Sequence, residues 1–125
     1  MTLTESPRLP CPACGFVVLS EGYGSYDICR LCGWEDDSVQ LANPCSGGGA
    51  NHESLAEAQA EALQELPLDV QEHNGYRRSS EWRPLSSGEI ASYQASRAIE
   101  HWHSSGVTDP KDAYWWQTPR GAQEE

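Results

Sequence analysis

Positive charge is scarce in this chain. Eight lysines and arginines, with Lys111 the single lysine, face 19 acidic side chains, for a net charge of −11. Binding nucleic acid through its phosphates requires clustered cations. The nearest thing to a cluster is Arg77, Arg78 and Arg83, so a nucleic-acid-binding ribbon would need a basic face assembled by folding and is not the expected function. The same field suits a basic protein partner. Long apolar runs are also missing. Nothing approaches the roughly 20 residues that cross a bilayer, and the residues before Pro10 lack the apolar core of a secretory leader, so the cytoplasm is the expected compartment. Phenylalanine and methionine occur once each and the mean hydropathy is −0.64, which leaves material for a small core in need of a further staple. Disulfides are not expected to supply it: five cysteines is an odd number, and close cysteine pairs in a reducing compartment hold metal more readily than they oxidise.

What the chain does have is two Cys-x-x-Cys-Gly turns, Cys11 to Gly15 and Cys29 to Gly33, with fourteen residues between the cysteine pairs. Four thiolates from two tight turns can enclose one Zn²⁺ tetrahedrally, the closed shell of a structural site. Gly15 and Gly33 can take positive φ freely and so aim amide N–H groups at the sulfurs, offsetting the negative charge of a four-thiolate centre. Phe16 to Leu19 and Tyr23 to Ile28 are expected to pair as a β-hairpin joining the metal turns.

Ser54-x-x-Glu57 is a capping box opening a helix whose apolar positions Leu55, Ala58, Ala62, Leu63 and Leu66 run until Pro67. Glu57, Glu61 and Glu65 form an acidic stripe on its other side. Ser86-x-x-Glu89 opens a second helix carrying Ile90, Tyr93, Ala98 and Trp102, with Gly106 as its stop. His73-Asn74-Gly75-Tyr76 marks a turn. Ser38 to Leu41 fits either an extended or a helical piece. Trp115 and Trp116 need cover, and a tail folded back on the domain is the expected arrangement.

Other chemistry is weaker. Three adjacent carboxylates, Glu35, Asp36 and Asp37, diverge and rarely focus on one ion; a turn-stabilising or partner-facing role suits them better. His101 and His103 point about 200° apart on a helix and cannot share a metal there. The glycines Gly47 to Gly49 lack the Lys-Ser/Thr that completes a phosphate loop. Cys45 sits in that loop without a neighbouring cation to activate it.

The blocks Cys11-Pro12-Ala13-Cys14-Gly15, Gly24 to Cys29, Cys32 to Asp37, Gly48 to Asn51 and Ser54-Leu55 resemble the bacterial cysteine-rich CPCC family over about residues 10–66. The resemblance implies a small zinc-ribbon-like protein without established enzymatic activity, of a kind suspected among immunity proteins of toxin systems. One departure stands out: Ala13 occupies the place of a further cysteine recorded in the family name.

The expected fold is α+β: a small zinc-ribbon β-hairpin packed on one or two helices. Its expected division is a flexible arm over 1–9, a zinc-binding domain over 10–84, and a helical extension with a tryptophan-rich tail over 85–125. The expected function is a non-enzymatic protein-interaction domain. It would hold one structural Zn²⁺ on Cys11, Cys14, Cys29 and Cys32, and bind a basic partner, such as a toxin, through Glu35, Asp36, Asp37, Trp115 and Trp116. The alternative is an enzyme or redox protein using Cys45, the Trp34 to Asp37 segment and a histidine such as His52.

Overall fold

Each Cys-x-x-Cys-Gly turn reverses the chain by itself, and this dictates the strand pairing. In the computed structural model, which describes residues 9–20, 22–97 and 106–116, strand β1 (Leu9–Pro10) enters the first turn and β2 (Val17–Leu19) leaves it, pairing antiparallel. Around the second turn, Ile28 bridges Glu35, with Asp36 N–H donating to the Asp27 carbonyl at 2.8 Å and Tyr26 N–H to the Asp36 carbonyl at 3.1 Å. The expected hairpin between Phe16–Leu19 and Tyr23–Ile28 is therefore replaced by two small hairpins, one per cysteine pair. Each hairpin is held by its own cysteine turn, through Cys11 N–H to the Phe16 carbonyl and Cys29 N–H to the Trp34 carbonyl. Leu9, assigned to the arm on sequence grounds, already lies in β1.

Helix α1 (Ser38–Ala42) follows, capped by Asp37, whose side chain accepts from Val39 N and Gln40 N. Helix α2 (Leu55–Glu65) carries the expected capping box at Ser54 and Glu57 and buries Leu55, Ala58, Gln59 and Ala62. After Pro67 the chain forms a second two-stranded sheet, β3 (Glu72–His73) with β4 (Tyr76–Arg77). Asn74 and Gly75 at its tip have φ of 51° and 86°, the doubly left-handed turn that Asn-Gly favours. Residues 78 and 79 then run beside the first cysteine hairpin: Arg78 bridges Phe16, and Ser79 N–H donates to the Gly15 carbonyl at 2.8 Å.

Helix α3 (Ser87–Arg97) begins at the second capping box, with Ser86 and Glu89 reciprocally bonded. Ala98, Trp102, His101 and His103 lie outside the described residues. The later segment returns through two short 3-10 turns, Pro110–Asp112 and Tyr114–Trp116. It packs Ala113, Tyr114 and Trp115 into the core beside Tyr23. The architecture is α+β and zinc-ribbon-like, with the cysteine turns inside the core rather than at its margin.

The segment between α1 and α2 is wired through amides. Gln40, fully buried, donates to the carbonyls of Ser46, Asn51 and Glu53 and accepts from Asn51. Asn51 in turn exchanges two hydrogen bonds with the Glu35 backbone. A methyl on Gly49 would lie 2.6 Å from Asp37 Oδ2, so the glycine run is pressed onto this network.

Candidate metal centre

The two cysteine turns are built alike. Cys11 N–H donates to the Phe16 carbonyl and Gly15 N–H to the Cys11 carbonyl, both at 2.8 Å. In the second turn Cys29 N–H donates to the Trp34 carbonyl at 2.8 Å and Gly33 N–H to the Cys29 carbonyl at 3.0 Å. Gly15 and Gly33 have φ of +82° and +85°. The sulfur-directed amides are those of Ala13 on Cys11 and of Leu31 and Cys32 on Cys29, all at 3.4 Å. The glycines thus close the turns and leave neighbouring amides free to face the sulfurs.

Each turn ends in Gly-aromatic, and both aromatic residues, Phe16 and Trp34, are buried. The glycines differ in what lies above them. A methyl on Gly15 would meet the Trp82 ring at 2.2 Å, whereas one on Gly33 meets nothing within 4 Å. Gly33→Ala is therefore expected to cost only the left-handed backbone strain, about 1–2 kcal/mol. Gly15→Ala adds overpacking of roughly 1–3 kcal/mol. Chemical denaturation of both variants checks the ranking, and equal losses would contradict it.

The four sulfurs converge. Cys11 Sγ lies 3.6 Å from Cys32 Sγ, Cys14 Sγ lies 3.8 Å from Cys29 Sγ, and all four lie within 4.8 Å of one another. A tetrahedral ion with metal–sulfur bonds of about 2.3 Å sets its ligands about 3.8 Å apart, so the donors fit a metal ion without rearrangement. Burial pushes the Cys11 thiol well above its ordinary range. Hydrogen bonds from Cys11, Cys14 and Cys32 hold Cys29 low. A divalent cation removes this conflict by binding the thiolates directly.

A model of the cysteine-rich CPCC family matches residues 9–66, a stretch that opens with β1 and closes on Leu66, the C-cap of α2. These residues belong to the cysteine-rich CPCC family. A comparison with curated proteins found no match. Ala13, where the family name records another cysteine, is fully buried in the CPCC segment, and its amide serves Cys11.

Residues beyond the CPCC segment brace its cysteine turns. The Arg78 guanidinium donates to the carbonyls of Cys14, Leu66, Pro67 and Val70 and lies 4.5 Å from the Phe16 ring centre. Burial lowers its affinity for the proton, while Cys14 and Asp69 oppose that shift. Trp82 Nε1 donates to the Pro12 carbonyl at 3.2 Å. Gln59 also donates to Pro12, and to the Tyr114 hydroxyl, while Tyr114 donates to the Arg83 carbonyl at 2.6 Å. Arg83 forms an ion pair with Glu89. Burial alone would raise the Glu89 carboxyl, but hydrogen bonds from Arg83 and Ser86, with the Arg83 charge, hold it below the usual range. Sequence reasoning missed Arg78 and Gln59. Gln59 did leave a signal, being a polar side chain on the buried face of α2.

The remaining candidate residues do not form one surface. Asp36 is fully buried and its Oδ2 accepts from Gly24 N, Ser25 N and Ser25 Oγ. Asp37 is 6% exposed and caps α1 while accepting from Ala50 N. Both carboxylates are thus directed inward, because the backbone turns around them need acceptors. Glu35 is half-buried and Trp115 buried. Trp116, at 52%, remains exposed. Cys45 is partly buried, 3.5 Å from the Ile90 carbonyl, and shares a cavity with Ser54, Glu57 and Gln94 that includes neither His52 nor residues 34–37. The arginines 77, 78 and 83 are dispersed: Arg77 pairs with Glu72 and Arg83 with Glu89, while Arg78 is buried. No helix among the described residues is long and apolar enough to cross a membrane.

Proposed function

We propose that this chain is a non-enzymatic protein-interaction domain, held together by one structural zinc ion, whose acidic surface docks a basic protein partner. Zinc is the metal best suited to a closed set of four thiolates on paired turns. Such a shell keeps no position for a substrate, which favours a scaffold over a catalyst. A basic toxin fits as the partner class, with the chain acting as its immunity protein, since opposite fields accelerate association.

The observation that carries this reading is the net charge of −11 combined with arginines already engaged within the fold. The acidic surface is left largely uncompensated. Glu35 and Trp116 are the members of the expected partner-binding set with exposed area to contribute.

Affinity purification from the native host, followed by association kinetics with the captured protein, tests it. The expected partner is basic, and association should slow about tenfold or more between roughly 50 and 200 mM salt. An acidic partner, or association indifferent to salt, would overturn the proposal. Elemental analysis should find zinc stoichiometric with the four-cysteine cluster.

A further inference from the structure

A groove of about 520 Å³ opens between the second cysteine turn and the outer side of α2. Trp34, Ala58 and Ala62 form its buried base, and Leu31 contributes partly exposed apolar surface. Glu61 and Glu65, both lining the groove and both exposed, stand one helical turn apart. Among the described residues no cation pairs with either. Trp34 is 2% exposed, and its indole N–H has no hydrogen-bond partner among the described residues. An apolar base and two unpaired carboxylates therefore meet in one place.

Resting on the reading that the partner is a basic protein, we propose that this groove takes a partner segment in which an arginine or lysine stands next to a large aliphatic residue. The aliphatic side chain packs on Trp34, Ala58 and Ala62. The cation reaches Glu61 and Glu65. A second copy of this chain is a poor occupant, since two surfaces of the same strong negative charge repel. Cys32, the one partly exposed cysteine of the cluster, also lines the groove. An occupant covers it, so docking and metal retention are linked.

The test uses the full metal-loaded chain and a short peptide alternating arginine and leucine, followed by backbone amide NMR shifts. Shifts are expected at residues 31–34 and 58–65. They should be absent with a glutamate–leucine peptide and weak with an arginine–serine peptide that lacks the aliphatic side chains. Glu61→Lys combined with Glu65→Lys should weaken binding about tenfold or more; both side chains are exposed, and unchanged shifts elsewhere verify that the variant is folded. Bound peptide should also slow loss of metal to a chelator.

Shifts that map elsewhere, or equal binding by the double variant, overturn the groove assignment and leave the basic-partner reading standing. Absence of any shift at millimolar peptide overturns it as well. The basic-partner reading itself is judged separately, by the charge and salt dependence of the captured native partner.

Discussion

Removing the metal with a chelator is expected to unfold the chain around its cysteine turns, with loss of the near-ultraviolet dichroism of its buried tryptophans. Structural zinc contributes apparent free energies of about 10–16 kcal/mol in small peptides, comparable to the whole stability of about 5–15 kcal/mol typical of a domain. The consequence should be global because Cys11, Ala13, Cys14, Phe16, Cys29 and Trp34 all belong to the hydrophobic core. Without the ion four sulfurs are left packed together in a largely buried site with no cation between them. Cys14→Ser should reproduce most of the effect, since Cys14 is fully buried and a hydroxyl is a poor substitute for a thiolate ligand. A metal-free chain with an unchanged dichroism spectrum and melting temperature would remove the premise of a metal-stabilised fold.

Arg78→Met should be the most damaging substitution outside the ligands, lowering stability by about 2–6 kcal/mol through two buried acceptors left unsatisfied. The guanidinium spans carbonyls from the first cysteine turn, from the end of α2 and from the bend after it. Its removal leaves the buried Cys14 and Leu66 acceptors short of a donor, each worth about 1–3 kcal/mol when unsatisfied, while water can relieve the part-buried carbonyls of Pro67 and Val70. Arg78→Lys retains charge but gathers its donors on one nitrogen, which cannot reach Cys14 on one side and Val70 on the other. Lysine is therefore expected to rescue less than half of the loss. Urea denaturation of the metal-loaded variants decides this, and an Arg78→Met chain within about 1 kcal/mol of the parent would show that the carbonyls find other donors.

The features legible in the sequence were those encoded over a few neighbouring residues. Both capping boxes closed as Ser54/Glu57 and Ser86/Glu89 indicated, because a cap is a bond between positions three apart. The Asn74-Gly75 turn formed because its two positive φ angles suit those residues. The tryptophan tail folded back, as its apolar area required, although Trp116 stayed outside. Strand pairing was not legible in the same way. The β-branched run after Gly15 specifies an extended segment but does not name its neighbour.

The acidic segment shows the limit most clearly. Written out, Glu35, Asp36 and Asp37 form a charged exposed run; folded, two of them are among the most buried polar groups of the chain. Their acceptors are spent on backbone amides of Gly24, Ser25, Val39, Gln40 and Ala50. Val39 and Gln40 follow Asp37 at N-cap spacing, but Gly24, Ser25 and Ala50 come from both sides of the run, and no spacing rule brings them in.

By itself the sequence determined that this chain carries two paired-cysteine turns with the spacing of a metal site, two capped helices and a strong negative charge, since each depends on residue type and short spacing alone. The tertiary structure decided which acids face solvent, that Arg78 ties the metal turn to the end of α2, and that a groove with unpaired glutamates lies beside Cys32. Those depend on groups distant along the chain becoming neighbours, where burial and the cost of leaving enclosed polar atoms unpaired set the outcome.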